Sequence, residues 1–263
     1  MRAVVVTTVL AAALAAPTIA RADEPCELNR LDCLAVTQFS ATADATSDAL
    51  FVASLALPIA LELGRGLDDD SLRRGGAYAA SVGATALTAG LVKITVQRDR
   101  PYTYHRHPSV VAYTAAAHGN DHSFFSGHTS LSFAALTSGA MLYQPTTTSA
   151  RARAGVWAGA GALGAATGVL RIRAGQHFPT DVMVGAAVGT AFGIGLTYAL
   201  APGEPTLDGT DLGMFAAGVA VGAIAAAVVP MPSDVRLPLG VRSLAVTPTL
   251  GADGAGLAIL ATR

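Results

Sequence analysis

The stretch from Arg171 to Asp181 reads Arg-Ile-Arg-Ala-Gly-Gln-His-Phe-Pro-Thr-Asp, gathering arginine, histidine and aspartate at one break between long uncharged runs. Pro179 suits the first position of a helix, where its missing N–H is not needed. His177 then stands just ahead of that helix and Asp181 in its first turn. About one helical turn separates them, so the carboxylate could fix which ring nitrogen carries the proton. A nucleophile or base oriented by a third group is the logic of a catalytic pair. The plainer reading is a polar helix start between buried helices.

Two other groups sit at comparable boundaries. Lys93 is the only lysine in a chain with 17 basic residues, and it ends an apolar run before Arg100-Pro101. A compact ammonium and a guanidinium together suit an oxyanion with several oxygens. Alone, Lys93 could equally be a snorkelling residue. Ser126-Gly127-His128 opens the next apolar run, and a helix start there offers a hydroxyl, free backbone N–H groups and an imidazole.

Lys93 to Arg100-Pro101, then Ser126-Gly127-His128, then Arg171 to His177 to Asp181, each at an apolar helix boundary, resemble the type 2 phosphatidic acid phosphatase family over roughly Gly75 to Leu200. That family shares its site with bacterial class A acid phosphatases and vanadium haloperoxidases. The resemblance implies that His177 attacks phosphorus to form a phosphohistidine, with Asp181 holding its ring. His128 would protonate the leaving alkoxide and then activate water. Lys93, Arg100 and Arg171, with the Ser126 hydroxyl and the Gly127 N–H, would neutralise the phosphoryl oxygens. Three cations at the phosphate leave no need for a metal, and no cofactor is expected. Two positions depart from the family pattern. Phe125 stands where proline usually precedes Ser-Gly-His, and Leu170 stands where serine usually precedes the arginine of the third motif.

These groups need a scaffold of long apolar helices. Hydrophobic residues make up 52% and charged residues 13% of the 263, and the mean hydropathy is +0.48, which leans away from an ordinary soluble domain. A helix is expected from about Thr46 to Gly64. Uncharged runs follow at Gly75–Val92, Thr129–Ala150, Ala154–Leu170, Val182–Gly203 and Leu212–Ser233, lengths that suit spanning helices. Their bias to alanine and glycine makes some of them marginal for insertion but allows close helix packing. The fold expected is therefore all-α, a six-helix bundle embedded in a membrane, preferred over a secreted soluble bundle. Two short strands about Gly251 to Gly254 would add a C-terminal β-hairpin.

Residues 1–22 read as a secretory signal, with Arg2, an apolar run to Ala16 and Ala20-Arg21-Ala22 as a cleavage site; an uncleaved first membrane helix is the rival. The expected division is 1–22 signal, 23–45 N-terminal segment, 46–233 helical domain and 234–263 tail. Cys26 and Cys33, the two cysteines, suit a small disulfide staple in an exported protein. A net charge of −1 gives no reason to expect nucleic acid. With an exported start, the loops bearing Arg65, Arg73, Arg74, Arg151 and Arg153 fall inside, and every candidate site residue falls outside.

The 98–127 insert holds His105, His107, His118 and His122, whose spacing fits no firm metal-ligand pattern. Arg98 and Arg173 could widen the positive field, but on a helical path Arg98 points away from Arg100 and is left out of the site. The sequence thus leads to a metal-independent phosphatase for a phosphorylated lipid or small phosphate ester, in the inner membrane with its site facing the periplasm. A soluble periplasmic acid phosphatase, a vanadium haloperoxidase and an inactive membrane scaffold are the alternatives.

Overall fold

The computed structural model describes residues 28–231 apart from 148 and 204, and the backbone of 243–251 and 254–262. The signal expected at 1–22 and Cys26 lie outside the described residues. Among these, six long helices form the bundle: α1 (Ala41–Gly64), α2 (Ser71–Val96), α4 (Gly127–Tyr143), α5 (Ala150–Arg173), α6 (Pro179–Leu200) and α7 (Gly209–Val228). A short helix, α3 (Pro108–Ala116), lies in the polar insert between α2 and α4. The first helix starts at Ala41 rather than near Thr46, because the Ser40 hydroxyl accepts the Ala43 N–H and satisfies an otherwise free donor. Ser126, Ser149 and Asp208 cap α4, α5 and α7 in the same way. As expected, Pro179 is the first residue of α6, with Asp181 in its opening turn.

Helix α4 runs through the middle and is buried on nearly all sides from Thr129 to Met141. Its neighbours reach it through glycine. A methyl group built on Gly189 of α6 would lie 2.0 Å from the Ser130 carbonyl oxygen, and one on Gly185 would lie 2.8 Å from that of Ser126. Gly193, one turn further, faces Ala134 and Thr137. Spacing by four keeps these three glycines on one face, so α6 lies backbone against backbone on α4. Gly218 and Gly222 do the same for α7, pressed on Ala158 and Ala162 of α5.

The helices alternate in direction, so their polar ends separate into two sets. One end carries the starts of α1, α4 and α6 and the finishes of α2 and α5, where the candidate residues lie. The opposite end is closed by ion pairs: Arg74 binds Glu62 at 2.7 Å and Asp68 at 2.6 Å, while Arg153 holds Asp208 at 2.7 Å and also Asp211.

Four helices, α1, α2, α6 and α7, are long and apolar enough to cross a membrane. Their outward faces expose Leu63, Leu72, Leu87, Leu91, Ile94, Met183, Val221 and Ile224, which suggests a membrane protein. The α4 run, although uncharged, is not among the four. Its alanines, serines and threonines face other helices, which leaves the large exposed apolar side chains to its neighbours.

Gly189→Ala is expected to lose about 1–3 kcal/mol of stability, because overpacking forces the two backbones apart. Unfolding of the purified protein in detergent measures it. Unchanged stability would show that α6 does not rest on α4 at this point.

Candidate functional site

His177 sits in the turn between α5 and α6, only 1% exposed. Gly175 makes that turn possible, having φ +72° and standing where a side chain would strike the Gln38 carbonyl at 2.4 Å. The ring Nδ1 lies 2.7 Å from the carbonyl oxygen of Ser123. A carbonyl can only accept, so Nδ1 carries the proton and, in the neutral ring, Nε2 keeps its lone pair. Burial first, and then the positive charges of Arg100, Lys93 and Arg171, hold this imidazole well below its usual value. The result is a neutral ring with a basic nitrogen among cations.

Asp181 stands 3.8 Å from the same Nδ1, beyond hydrogen-bonding distance. Its oxygens instead accept from the Ser123 hydroxyl at 2.6 Å, the Phe178 N–H at 2.9 Å and Arg98 at 2.5 Å. The aspartate therefore reaches the ring through Ser123, whose hydroxyl it holds and whose carbonyl the imidazole uses.

Arg98, left out of the site at the outset, turns out to anchor it. Its guanidinium also binds Asp32 at 2.7 Å and Thr180 at 2.9 Å and lies 4.1 Å over the Phe178 ring. Burial acts to raise the pKa of Asp32, but the hydrogen bonds from Arg98 and Thr180 outweigh it and hold the carboxyl below its usual range. Cys33, beside Asp32, is disulfide-bonded, and Asp32 itself holds this segment to α6 by accepting from the Thr180 N–H at 3.0 Å and hydroxyl at 2.8 Å. Arg173 points elsewhere, capping the end of α7 through the carbonyls of Ala226 and Val229.

The cations converge from three elements. Lys93, near the end of α2, donates to the His122 carbonyl at 2.9 Å, and its ammonium lies beside Gly127. Arg100 in the insert binds Gln176 Oε1 at 2.7 Å and the Gly119 carbonyl at 3.0 Å. Arg171, in the last turn of α5, is 5% exposed and gives one nitrogen to Asp44, Ser47 and Asp48 of α1. Its Nε is buried and has no partner among the described residues. A buried guanidinium N–H left over in this way is suited to an anion's oxygen.

His128, the first residue after Gly127 in α4, faces the same space. Its Nε2 is 3.0 Å from Asp48, and its ring packs on Phe51 with centroids 4.5 Å apart. Ser126 caps α4 and accepts from the Thr129 hydroxyl at 2.8 Å, while its N–H binds the Asp181 carbonyl at 3.1 Å. All eight candidate residues are thus gathered at one end of the bundle. Asp44, Asp48, Ser123 and Gln176 belong with them and were not picked out from sequence. Two acids four apart at the entry of an apolar helix were the available signal for the first pair.

A helical bundle that collects an unprotonated buried imidazole nitrogen, a second imidazole and three cations at one end can bind an oxyanion and transfer a group from it. Residues 74–202, just under half of the chain, match the family model of the PAP2 superfamily, whose members are generally phosphatases. The match takes in α2 through α6 and leaves α1 and α7 outside. No curated protein and no solved structure matches the chain.

The two departures lie in apolar surroundings. Phe125 packs with Ala89, Phe124 and Val188, and Leu170 packs with Ala43, Ala174 and Ala226 beneath Leu50 and Met231. Leu170→Ser would therefore bury a hydroxyl and leave a cavity rather than add a phosphate contact. A loss of about 2–5 kcal/mol is expected, with no gain in turnover. Thermal unfolding and phosphatase assays on the variant check both parts, and higher activity would place residue 170 against substrate.

Proposed function

We propose that the chain is a metal-independent phosphatase that hydrolyses a phosphate monoester or pyrophosphate through a phosphohistidine, with a lipid phosphate the favoured substrate. The observation that carries this reading is the buried, neutral His177, whose Nδ1 is committed to Ser123 while Nε2 keeps its lone pair among Lys93, Arg100 and Arg171. The Nε2 lone pair attacks phosphorus and the ester P–O bond breaks, the alkoxide taking a proton from His128. Water then attacks phosphorus and the P–N bond breaks, the water giving a proton back to His128 as phosphate and neutral His177 are released. Lys93, Arg100 and the free Nε of Arg171 offset charge on the transferring oxygens, and the Ser126 hydroxyl and Gly127 N–H add donors at the start of α4. Asp181 orients His177 through Ser123.

The site lies at the end of the bundle opposite the arginine-bearing loops at Arg65 to Arg74 and Arg151 to Arg153, which supports an inner-membrane protein with its site facing the periplasm. A lipid headgroup at that level could reach it from the bilayer. We assign 1–22 as signal, 23–45 as the N-terminal segment, although α1 begins within it at Ala41, and 46–233 as the catalytic bundle. The backbone of Ser243–Gly251 runs antiparallel to Gly254–Thr262, which supports a hairpin in the tail at 234–263.

His177→Ala is expected to remain folded and to lose turnover of both phosphatidic acid in mixed micelles and an aryl phosphate, by a factor on the order of at least 10⁴. Acid-labile phosphate trapped on wild type and absent from the variant completes the test. Turnover retained in the folded variant overturns the assignment, and halide oxidation with vanadate and peroxide would favour the haloperoxidase alternative.

The neutral ring also predicts a pH dependence. With its pKa held below the usual 6.5, His177 stays unprotonated as pH falls through that value, and the nucleophile is lost only at lower pH. Imidazole ¹⁵N spectra of the free protein, with the His177 signal identified by its loss in His177→Ala, should show an Nδ1–H tautomer at pH 6. A titration midpoint at or above 6.5 would contradict it.

A further inference from the structure

Helix α1 lies outside the stretch that matches the superfamily, yet it places three side chains against the site. Asp48 stands 3.0 Å from His128 Nε2 and 3.1 Å from Arg171. Phe51, about one turn on, packs its ring against that of His128. Asp44, one turn before, binds Arg171 at 2.6 Å and accepts from Gln176 at 3.3 Å. A carboxylate can only accept, so Asp48 favours the proton on Nε2 of His128. The other ring nitrogen, Nδ1, has no hydrogen bond among the described residues and is left for exchange. This is the mirror of His177, in which Nδ1 is held and Nε2 is left.

We propose that Asp48 is the positioning residue of the acid–base histidine: it holds the Nε2 side of the His128 ring so that, in the imidazolium form, the Nδ1–H passes its proton to the leaving oxygen, and the neutral ring then takes one back from water at Nδ1. This rests on the phosphohistidine reading above. Helix α1 is then part of the catalytic apparatus rather than only a wall of the bundle. Asp48 also joins the two halves of the site, since the carboxylate that orients His128 holds Arg171 as well. Asp44 touches the arginine but lies beyond contact distance of the histidine and reaches it only through its charge, so of the two carboxylates only Asp48 can hold the orientation of the ring.

The separation gives the test. An alkyl phosphate needs its leaving oxygen protonated as the P–O bond breaks, whereas a nitrophenolate leaves without a proton. Asp48→Asn is expected to lower kcat for an alkyl phosphate by about 100-fold, the scale of general acid catalysis. With p-nitrophenyl phosphate at saturating concentration, which offsets a weaker hold on Arg171, the same variant should still release a first-turnover burst of nitrophenol at a rate within about threefold of wild type. Phosphohistidine then accumulates, because water activation by His128 is slowed. Asp44→Asn should instead raise KM for both substrates alike, and Asp48→Glu should recover part of the alkyl turnover.

Equal loss of alkyl turnover and aryl burst in Asp48→Asn, or no loss of either, overturns the proposal. Unfolding curves for each variant identify a loss that comes from misfolding, in which case Asp48→Glu carries the leaving-group comparison, and an unaltered ratio of alkyl to aryl rates there counts against the role. If wild type forms no phosphohistidine, the reading beneath fails first, and that result is seen before any variant is compared.

Discussion

The contact on which the site depends is the backbone approach of α6 to α4. Gly185, Gly189 and Gly193 present a strip without side chains to the Ser126, Ser130 and Ala134 carbonyls. Because both helices start at the same end, this contact brings His177, just before α6, to His128, at the start of α4. The Ser126 N–H closes the junction on the Asp181 carbonyl at 3.1 Å. A spacing error of one side chain here would move one imidazole relative to the other by more than a transferring phosphoryl group tolerates.

Around that junction, charge is buried in pairs. Arg98 lies between Asp32 and Asp181, and Arg171 between Asp44 and Asp48. Such groups are costly to bury unless their partners are in place, and removing one partner commonly costs about 3–5 kcal/mol. Their value here is in fixing position. Arg98 ties the segment beside the disulfide to the first turn of α6, and the α1 carboxylates take one nitrogen of Arg171 while leaving its Nε free. A rigid guanidinium with one side committed is already aligned for an anion on the other.

The same architecture explains why alanine and glycine dominate a chain in which four helices are apolar enough to cross a membrane. Interior helices such as α4 spend their faces on one another, so small residues and hydroxyls suit them. The larger apolar side chains go to the outer faces of α1, α2, α6 and α7. Most hydroxyls inside find carbonyls one turn back, as Thr137 does on Phe133 at 2.6 Å, or each other, as Ser138 and Thr197 do at 2.7 Å, while Ser132 in α4 has no partner among the described residues. Polar composition at the centre is therefore compatible with a dry core.

Much of this was legible in the residue order. The uncharged runs fixed the number of long helices, Pro179 fixed where α6 begins, and motif spacing put every candidate residue at a helix boundary. These are local signals, carried by periodicity and capping within a few residues. What the order could not supply were contacts between distant segments. Asp48 and His128 are eighty positions apart, Arg98 was set aside because a helical path was assumed past the end of α2, and Ser123 offers a backbone carbonyl, which no side-chain motif encodes. The start of α2's exit is decided at Gln97, whose left-handed φ of 48° turns Arg98 inward to Asp32 and Asp181. Leu170 stands where the family pattern has serine, and packing places it among Ala43, Ala174 and Ala226. Sequence determined which groups are available and at which end of the bundle they lie; only the packing of α1 and α6 on the central helix decided which nitrogen of each imidazole is held and which is left free.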